Sequence, residues 1–168
     1  AFRTFDRGPI ALDHLEPHLL ALGYVRYAPY RFEEKKLRAF GYVHAARPDA
    51  PKVFLSELVT GELSADLRRT VDALVAQVPA GFVQGPEVFW AGRPWAPVSH
   101  GTWRTLLEES EYAAWVAALG LRANHFTVFV NTLSERLRSI PAVLDFVEAS
   151  GFRINESGGR VKGTPAEL

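Results

Sequence analysis

The chain has 168 residues and a mass of 18.7 kDa, and its 19 Lys and Arg balance 19 Asp and Glu. Zero formal charge argues against general electrostatic binding of nucleic acid, which needs a basic excess, and an apolar content of 48% argues against a disordered tail. Without Cys, the chain has no disulfide framework, zinc–thiolate site or Cys nucleophile. It shows no apolar run of the roughly 20 residues that span a bilayer and no signal-peptide pattern. We therefore expect a cytoplasmic globular protein that binds neither nucleic acid nor membrane.

The first part of the chain predicts a strand, a helix and three further strands. Residues 1–5 alternate and are rich in aromatic side chains, which favours a strand. The leucines of residues 12–22 recur at helical spacing, and we expect Pro17 to start or restart this helix and Gly23 to end it. Three extended segments follow at residues 24–30, 37–45 and 53–58.

The middle of the chain predicts a helical and irregular insert. Ser64 has the position of an N-cap residue, with Asp66 in the first turn of a helix. Residues 79–99 are rich in Pro and Gly but carry several large aromatic side chains, so they predict a packed irregular segment and not a flexible linker. A further helix is predicted over residues 103–119, with Gly120 at its end.

After residue 120 the order of elements begins to repeat. Residues 125–130 form an apolar run with β-branched side chains, which predicts a strand, and residues 140–150 predict a helix closed by Gly151. Residues 152–162 predict the start of a hairpin with a Gly-Gly turn.

This repetition suggests two βαβββ modules. We predict a first module over residues 1–62, an insert over residues 63–120 and an incomplete second module over residues 121–168. Two such modules that pack into one curved sheet are typical of the vicinal oxygen chelate fold, so the expected fold class is α+β.

Several motifs make a family resemblance specific. They are Ala-Phe-Arg-Thr-Phe at 1–5, Ser-Glu-Tyr-Ala-Ala-Trp at 110–115, Gly-Leu-Arg-Ala-Asn-His-Phe-Thr at 120–127, Gly-Phe at 151–152 and Asn-Glu-Ser-Gly-Gly-Arg-Val-Lys-Gly at 155–163. The first looks like the remainder of an Asp-His-x-Ala-Phe-Arg-Thr-Phe motif. By these motifs the chain resembles the 2-oxoadipate dioxygenase/decarboxylase family, also called 2-hydroxyglutarate synthases.

The resemblance implies an iron enzyme of the vicinal oxygen chelate fold. Members are implied to bind one Fe(II) through two His and one Glu, and to convert 2-oxoadipate and dioxygen to 2-hydroxyglutarate and carbon dioxide in lysine breakdown. His125 matches the second metal His, and Arg3 matches the arginine implied to bind the substrate carboxylate. The first metal His would precede Ala1 by two positions and the Glu would follow Leu168. Because the chain also lacks Met at position 1, we expect it to be a fragment.

The residue types suit this chemistry. A site of two His and one carboxylate leaves open positions on Fe(II) for a 2-oxo acid and dioxygen, the two partners expected here. Side chains alternate along a strand, so Arg3 would share a face with a His two positions before Ala1 and would project into the metal cavity. Its planar fork can form two charge-assisted hydrogen bonds with a carboxylate.

Simpler interpretations of the same residues remain. His125 could be a buried structural histidine at the start of a strand, and Arg3 could be a surface residue paired with Asp6. His14 and His18 have a metal-like spacing, but Pro17 and charged neighbours favour a solvated helix start.

Three functional classes stay open at this level. The first is the iron-dependent 2-oxo acid dioxygenase. The second keeps the fold and changes the reaction, as in a glyoxalase-like isomerase or an extradiol dioxygenase. The third is a non-catalytic module that binds a small ligand. The sequence leaves the oligomeric state open.

Overall fold

The computed structural model describes residues 1–157 and 159–161 of the chain. The backbone divides into two compact units, a first unit of Ala1–Phe126 and a second unit of Thr127–Leu168. Within the described ranges, no helix is both long enough and apolar enough to cross a membrane.

The first unit contains the predicted strand, helix and three strands. The elements are β1 (Phe2–Phe5), α1 (Leu12–Ala21), β2 (Tyr24–Phe32), β3 (Leu37–His44) and β4 (Val53–Leu58). The strands form one sheet in the order β1-β4-β3-β2, in which β1 runs parallel to β4 and the other pairs are antiparallel. In this register Arg3 lies opposite Ser56, and Ser56 lies opposite Ala39. These side chains therefore share one face of the sheet.

Helix α1 covers the opposite face, and buried polar groups attach it there. The Glu57 carboxylate accepts hydrogen bonds from Leu12 N at 2.8 Å and from Arg38 Nε at 2.7 Å. Burial raises the pKa of Glu57, although the Leu12 amide and the Arg38 charge oppose this. Glu16 of α1 accepts a hydrogen bond of 2.9 Å from the buried Tyr42 hydroxyl.

The prediction for Pro17 is wrong, because this residue lies inside α1 and neither starts nor restarts it. Proline lacks the N–H that would bond to the carbonyl four residues earlier, so the helix loses one hydrogen bond there. Leu15 and Leu19, on either side, are 0% and 3% exposed. Their burial in the core outweighs the lost bond and keeps the helix continuous.

The insert folds against the sheet through three helices. They are α2 (Ala65–Val75), α3 (His100–Glu109) and α4 (Glu111–Leu119). The predicted N-cap is confirmed, since Ser64 Oγ accepts a hydrogen bond from Leu67 N at 3.1 Å. The single helix predicted over residues 103–119 is instead two helices, α3 and α4. Ser110 is extended and accepts a hydrogen bond from Ala113 N at 3.1 Å, so it ends α3 and caps α4.

The segment between α2 and α3 is packed and irregular, as predicted. It contains a short 3-10 helix, Pro86–Trp90, and its Phe89 and Trp95 side chains are 4% exposed. The Trp95 indole donates a hydrogen bond of 2.8 Å to Ala117 O on α4.

Gly120 lets this segment approach the end of α4. Gly92 and Leu121 exchange two backbone hydrogen bonds of 2.8 and 2.7 Å. The φ of Gly120 is +71°, and a Cβ atom there would lie 2.3 Å from Arg93 Cα. Only glycine fits this position without a shift of the backbone.

In the second unit the predicted helix is confirmed as α5 (Ile140–Ala149), and Gly151 follows it with φ of +86°. The predicted strand over residues 125–130 is wrong. A strand needs a hydrogen-bonded neighbour, and no strand of the described residues pairs with this segment, whose Phe126 and Phe129 are 87% and 68% exposed. The described residues after Gly151 contain no strand either, while Gly158 and Lys162 of the predicted hairpin lie outside the described residues.

Candidate functional site

A pocket of about 660 Å³ opens in the first unit on the sheet face that carries Arg3. Its size falls within the roughly 300–1,000 Å³ range of small-molecule sites. The sheet forms its floor, the junction of α3 and α4 forms one wall, and residues 124–125 form another. Its lining includes Arg3, Leu37, Phe54, Ser56, Tyr112 and His125.

The two residues singled out from the sequence meet in this pocket. The Arg3 guanidinium lies with Nη2 at 2.8 Å from Nε2 of His125. Since a guanidinium only donates, Nε2 of His125 is the acceptor, and a neutral ring carries its proton on Nδ1. Residues separated by 122 positions in the chain are thus in direct contact.

Arg3 has no carboxylate within ion-pair distance in the part of the chain that the structure describes. The alternative pairing with Asp6 does not occur, because Asp6 Oδ1 accepts hydrogen bonds of 3.1 and 2.6 Å from the amide and hydroxyl of Thr60. The positive charge of Arg3 is therefore available to an anion in the pocket.

Glu109 also lines the pocket, but its carboxylate is bound to a neighbouring loop. It accepts hydrogen bonds from the amide and the hydroxyl of Ser64, at 2.7 and 2.5 Å. Burial works against ionisation, but the Ser64 hydrogen bonds and the Lys36 charge prevail and lower the pKa of Glu109. Glu109 thus stays ionised and attached to Ser64, and it does not neutralise Arg3.

His125 is held beside the start of β1 by its neighbour. Ala1 and Asn124 exchange two hydrogen bonds of 2.8 Å, from the Ala1 amino group to Asn124 O and from Asn124 N to Ala1 O. The φ of His125 is +49°, in the left-handed region that non-glycine residues rarely adopt. The side chain is exposed, so the interpretation of His125 as a buried structural histidine is wrong.

Tyr112 connects α4 to both strands beneath the pocket. Its hydroxyl donates to Ser56 O at 2.8 Å and accepts from Thr4 N at 3.1 Å. Ser56 Oγ lies at 3.0 Å from the same hydroxyl. Burial raises the pKa of Tyr112, so the hydroxyl keeps the proton that it donates. These bonds fix the ring of Tyr112 against the sheet.

Two aromatic rings of α4 lie beside the Arg3 guanidinium. Its Cζ atom is 4.8 Å from the centre of the Trp115 ring and 5.1 Å from that of Tyr112. Neither Trp115 nor Tyr112 is among the site residues predicted from the sequence. Their spacing of three on a helix is the signal that could have found them, because it places both rings on one face.

The described residues do not form a metal centre by themselves. They contain no group of three or more His, Cys, Asp or Glu placed to bind a metal ion. Imidazole is a ligand that iron accepts, so His125 offers one donor of the right type. His18 donates a hydrogen bond from Nε2 to Val83 O at 2.7 Å, so this nitrogen has a partner other than a metal.

Solved structures share the fold of this chain. A crystal structure of a protein from Shewanella frigidimarina NCIMB 400 matches it with a TM-score of 0.93 and 43% identity, over 98% of this chain and 64% of that one. A glyoxalase superfamily protein from Ralstonia eutropha JMP134 matches with a TM-score of 0.71 and 20% identity, over 89% of this chain and 54% of that one. The βαβββ sheet and this likeness give the chain an α+β fold of the vicinal oxygen chelate type.

Among proteins of this fold, the chain is similar to the 2-oxoadipate dioxygenase/decarboxylase family, whose family model matches residues 87–168. The chloroplastic 2-oxoadipate dioxygenase/decarboxylase of Arabidopsis thaliana is 31% identical over 98% of this chain and 47% of its own length. The Oryza sativa hydroxyglutarate synthase, solved in complex with 2-oxoadipate, is 30% identical with a TM-score of 0.87, over 99% of this chain and 57% of that one. The chain spans about half the length of the curated relatives that it matches. Similarity to a dioxygenase family in this fold indicates a metal cofactor.

Proposed function

We propose that this chain is part of an Fe(II)-dependent enzyme that converts 2-oxoadipate and dioxygen to 2-hydroxyglutarate and carbon dioxide. The observation that carries the proposal is the Arg3 guanidinium, which faces the pocket without a carboxylate partner among the described residues and lies 2.8 Å from His125. The rice relative that binds 2-oxoadipate supports the choice of ligand. The Arg3 guanidinium would bind one carboxylate of this dicarboxylic acid through two parallel N–H···O hydrogen bonds.

The rest of the pocket suits the remainder of such a ligand. Leu37 and Phe54 provide apolar walls for a chain of methylene groups. Because Glu109 is bound to Ser64, the incoming carboxylate meets no free negative charge from that residue. A carboxylate bound to Arg3 would compete with His125 for Nη2, and loss of that hydrogen bond would free the Nε2 lone pair.

His125 is proposed as one ligand of the Fe(II), with the other ligands outside the described residues. Bound iron would supply the activation of dioxygen that no side chain can provide. The protein's own contribution is the orientation of the 2-oxo acid by Arg3 and the apolar walls.

Binding and metal content measured on the intact protein separate the two roles. For Arg3→Ala we expect the affinity for 2-oxoadipate, measured without oxygen, to fall by about tenfold to a hundredfold. This corresponds to the loss of about 1.5–3 kcal/mol from a charge-assisted hydrogen bond. The variant should retain its iron. For His125→Ala we expect loss of iron. Arg69→Ala is the control, since Arg69 is exposed on α2 and pairs with Asp66 one turn away on the same helix.

Two results would contradict the proposal. Unchanged 2-oxoadipate affinity in Arg3→Ala would exclude Arg3 as the carboxylate site. An iron-loaded protein that consumes no dioxygen with 2-oxoadipate would exclude the dioxygenase reaction and favour an isomerase or a binding module.

A further inference from the structure

The orientation of the Arg3 side chain needs an explanation, since no carboxylate of the described residues holds it. Among the described residues, Nη2 has one hydrogen-bond partner, the ring of His125. The guanidinium also lies beside the rings of Tyr112 and Trp115, with centres 5.1 and 4.8 Å from Cζ. Both rings lie within the roughly 6 Å at which a cation is attracted to an aromatic face.

Both rings are themselves fixed in place. The Tyr112 hydroxyl is bound to Ser56 O and to Thr4 N, and its side chain is buried. Trp115 is half-buried and packs against the hydrophobic core. Since the residues lie three apart on α4, a rigid helix carries both rings to the same cation.

A guanidinium that lies against aromatic rings keeps its N–H groups free at the edge. Contact with the rings therefore leaves the fork available to a planar anion in the pocket. A lysine ammonium at position 3 would have neither a flat face to lay on the rings nor a fork to present to a carboxylate.

We propose that Trp115, together with Tyr112, is a positioning residue of the carboxylate site, which holds the Arg3 guanidinium with its fork towards the pocket. This inference rests on the proposed function, in which Arg3 binds the ligand. Trp115 acts through Arg3, and no direct contact between Trp115 and the ligand is required.

The test is a double-mutant cycle on the intact protein, with binding of 2-oxoadipate measured without oxygen. We expect Trp115→Leu to weaken binding by about fivefold to thirtyfold, the range for a partly desolvated cation–π contact. Trp115→Phe, which keeps a ring, should stay within about threefold of the parent protein. In an Arg3→Ala background, Trp115→Leu should add less than about twofold, since the cation that contacts the ring is already gone.

The control is Trp103→Leu, because Trp103 is also half-buried against the core but lies on α3 beside His100. It should leave binding unchanged. The NMR signal of the Arg3 guanidinium gives a second readout that does not depend on affinity. We expect the Trp115 ring to shift it upfield, and Trp115→Phe, which keeps the fold, to reduce that shift.

The possible outcomes distinguish a failure of this inference from a failure of the proposed function on which it rests. If Arg3→Ala weakens binding but Trp115→Leu does not, Trp115 has no positioning role. If Trp115→Leu has the same effect in both backgrounds, or if the Arg3 signal does not respond to Trp115→Phe, its role is structural and the inference is wrong. If Arg3→Ala itself leaves binding unchanged, the proposed function fails and the inference fails with it.

Discussion

Replacement of Tyr112 by Phe would test how α4 is attached to the sheet. The substitution keeps the ring and removes a buried hydroxyl that donates to Ser56 O and accepts from Thr4 N. Because a buried polar group that loses its partner costs about 1–3 kcal/mol, we expect the free energy of unfolding to fall by about 2 kcal/mol. With a urea m-value of roughly 2 kcal/mol/M, this shifts the midpoint down by about 1 M.

Equilibrium urea unfolding of the intact protein, followed by tryptophan fluorescence, measures this shift. Tyr30→Phe is a matched control, since the Tyr30 hydroxyl makes an exposed hydrogen bond of 3.3 Å to the Tyr27 hydroxyl. It should change stability by less than about 0.5 kcal/mol. Equal midpoints for Tyr112→Phe and Tyr30→Phe would show that the Tyr112 hydroxyl does not hold α4 to β1 and β4.

Because of the same hydroxyl, we expect the stability of the folded state to depend on pH in the alkaline range. Burial raises the pKa of Tyr112 above its ordinary value, so the unfolded chain ionises first as the pH rises. Linkage then lowers the stability of the folded state as the pH rises through the usual tyrosine value of about 10. Tyr112→Phe should remove this component of the alkaline slope.

Three further substitutions have clear expected outcomes. Burial raises the pKa of Glu57, so the unfolded chain ionises first and stability declines as the pH rises above the ordinary glutamate value; Glu57→Gln should flatten that decline in urea midpoints measured against pH. Gly120→Ala should lower the free energy of unfolding in urea by more than about 2 kcal/mol, because φ is positive there and an added Cβ would meet the backbone of Arg93. The control Gly101→Ala, in helix α3, should leave stability unchanged or raise it by up to about 1 kcal/mol. Equal effects of the two substitutions would refute the steric argument. Leu106→Ala should lower the thermal stability by about 2–5 kcal/mol, since this side chain is 1% exposed, and a loss below about 1 kcal/mol would show that it lies outside the core.

Local sequence patterns correctly predicted several strands, helices and helix ends of the fold. Alternation and helical spacing located β1, α1 and α5, and Ser64 and Gly23 marked helix ends through the chemistry of caps. Alternation also placed Arg3 on a face that opens into a pocket, where it meets His125. These predictions needed only short-range information.

Other features depend on partners that a local pattern does not contain. The run at residues 125–130 has the composition of a strand, but a strand exists only where a neighbouring strand accepts its hydrogen bonds. Ser110 breaks the predicted helix because its side chain can cap α4, and spacing alone does not reveal this. Helical spacing places Tyr112 and Trp115 on one face of α4, but it does not reveal that this face meets Arg3, which lies far away in the chain.

The separation of the pocket residues along the chain also has a consequence for the timing of folding. Arg3 is translated 122 residues before His125, and at about 5–20 residues per second this corresponds to a wait of roughly 6–25 s on the ribosome. Tyr112, which fixes α4 to β1, also emerges 108 residues after the Thr4 amide that it binds. The hairpin of β2 and β3 can pair as soon as it leaves the exit tunnel, whereas β1 must remain available until α4 arrives. The pocket is thus among the last parts of the first unit to assemble, and a nascent chain arrested before residue 112 would carry Arg3 without its aromatic neighbours.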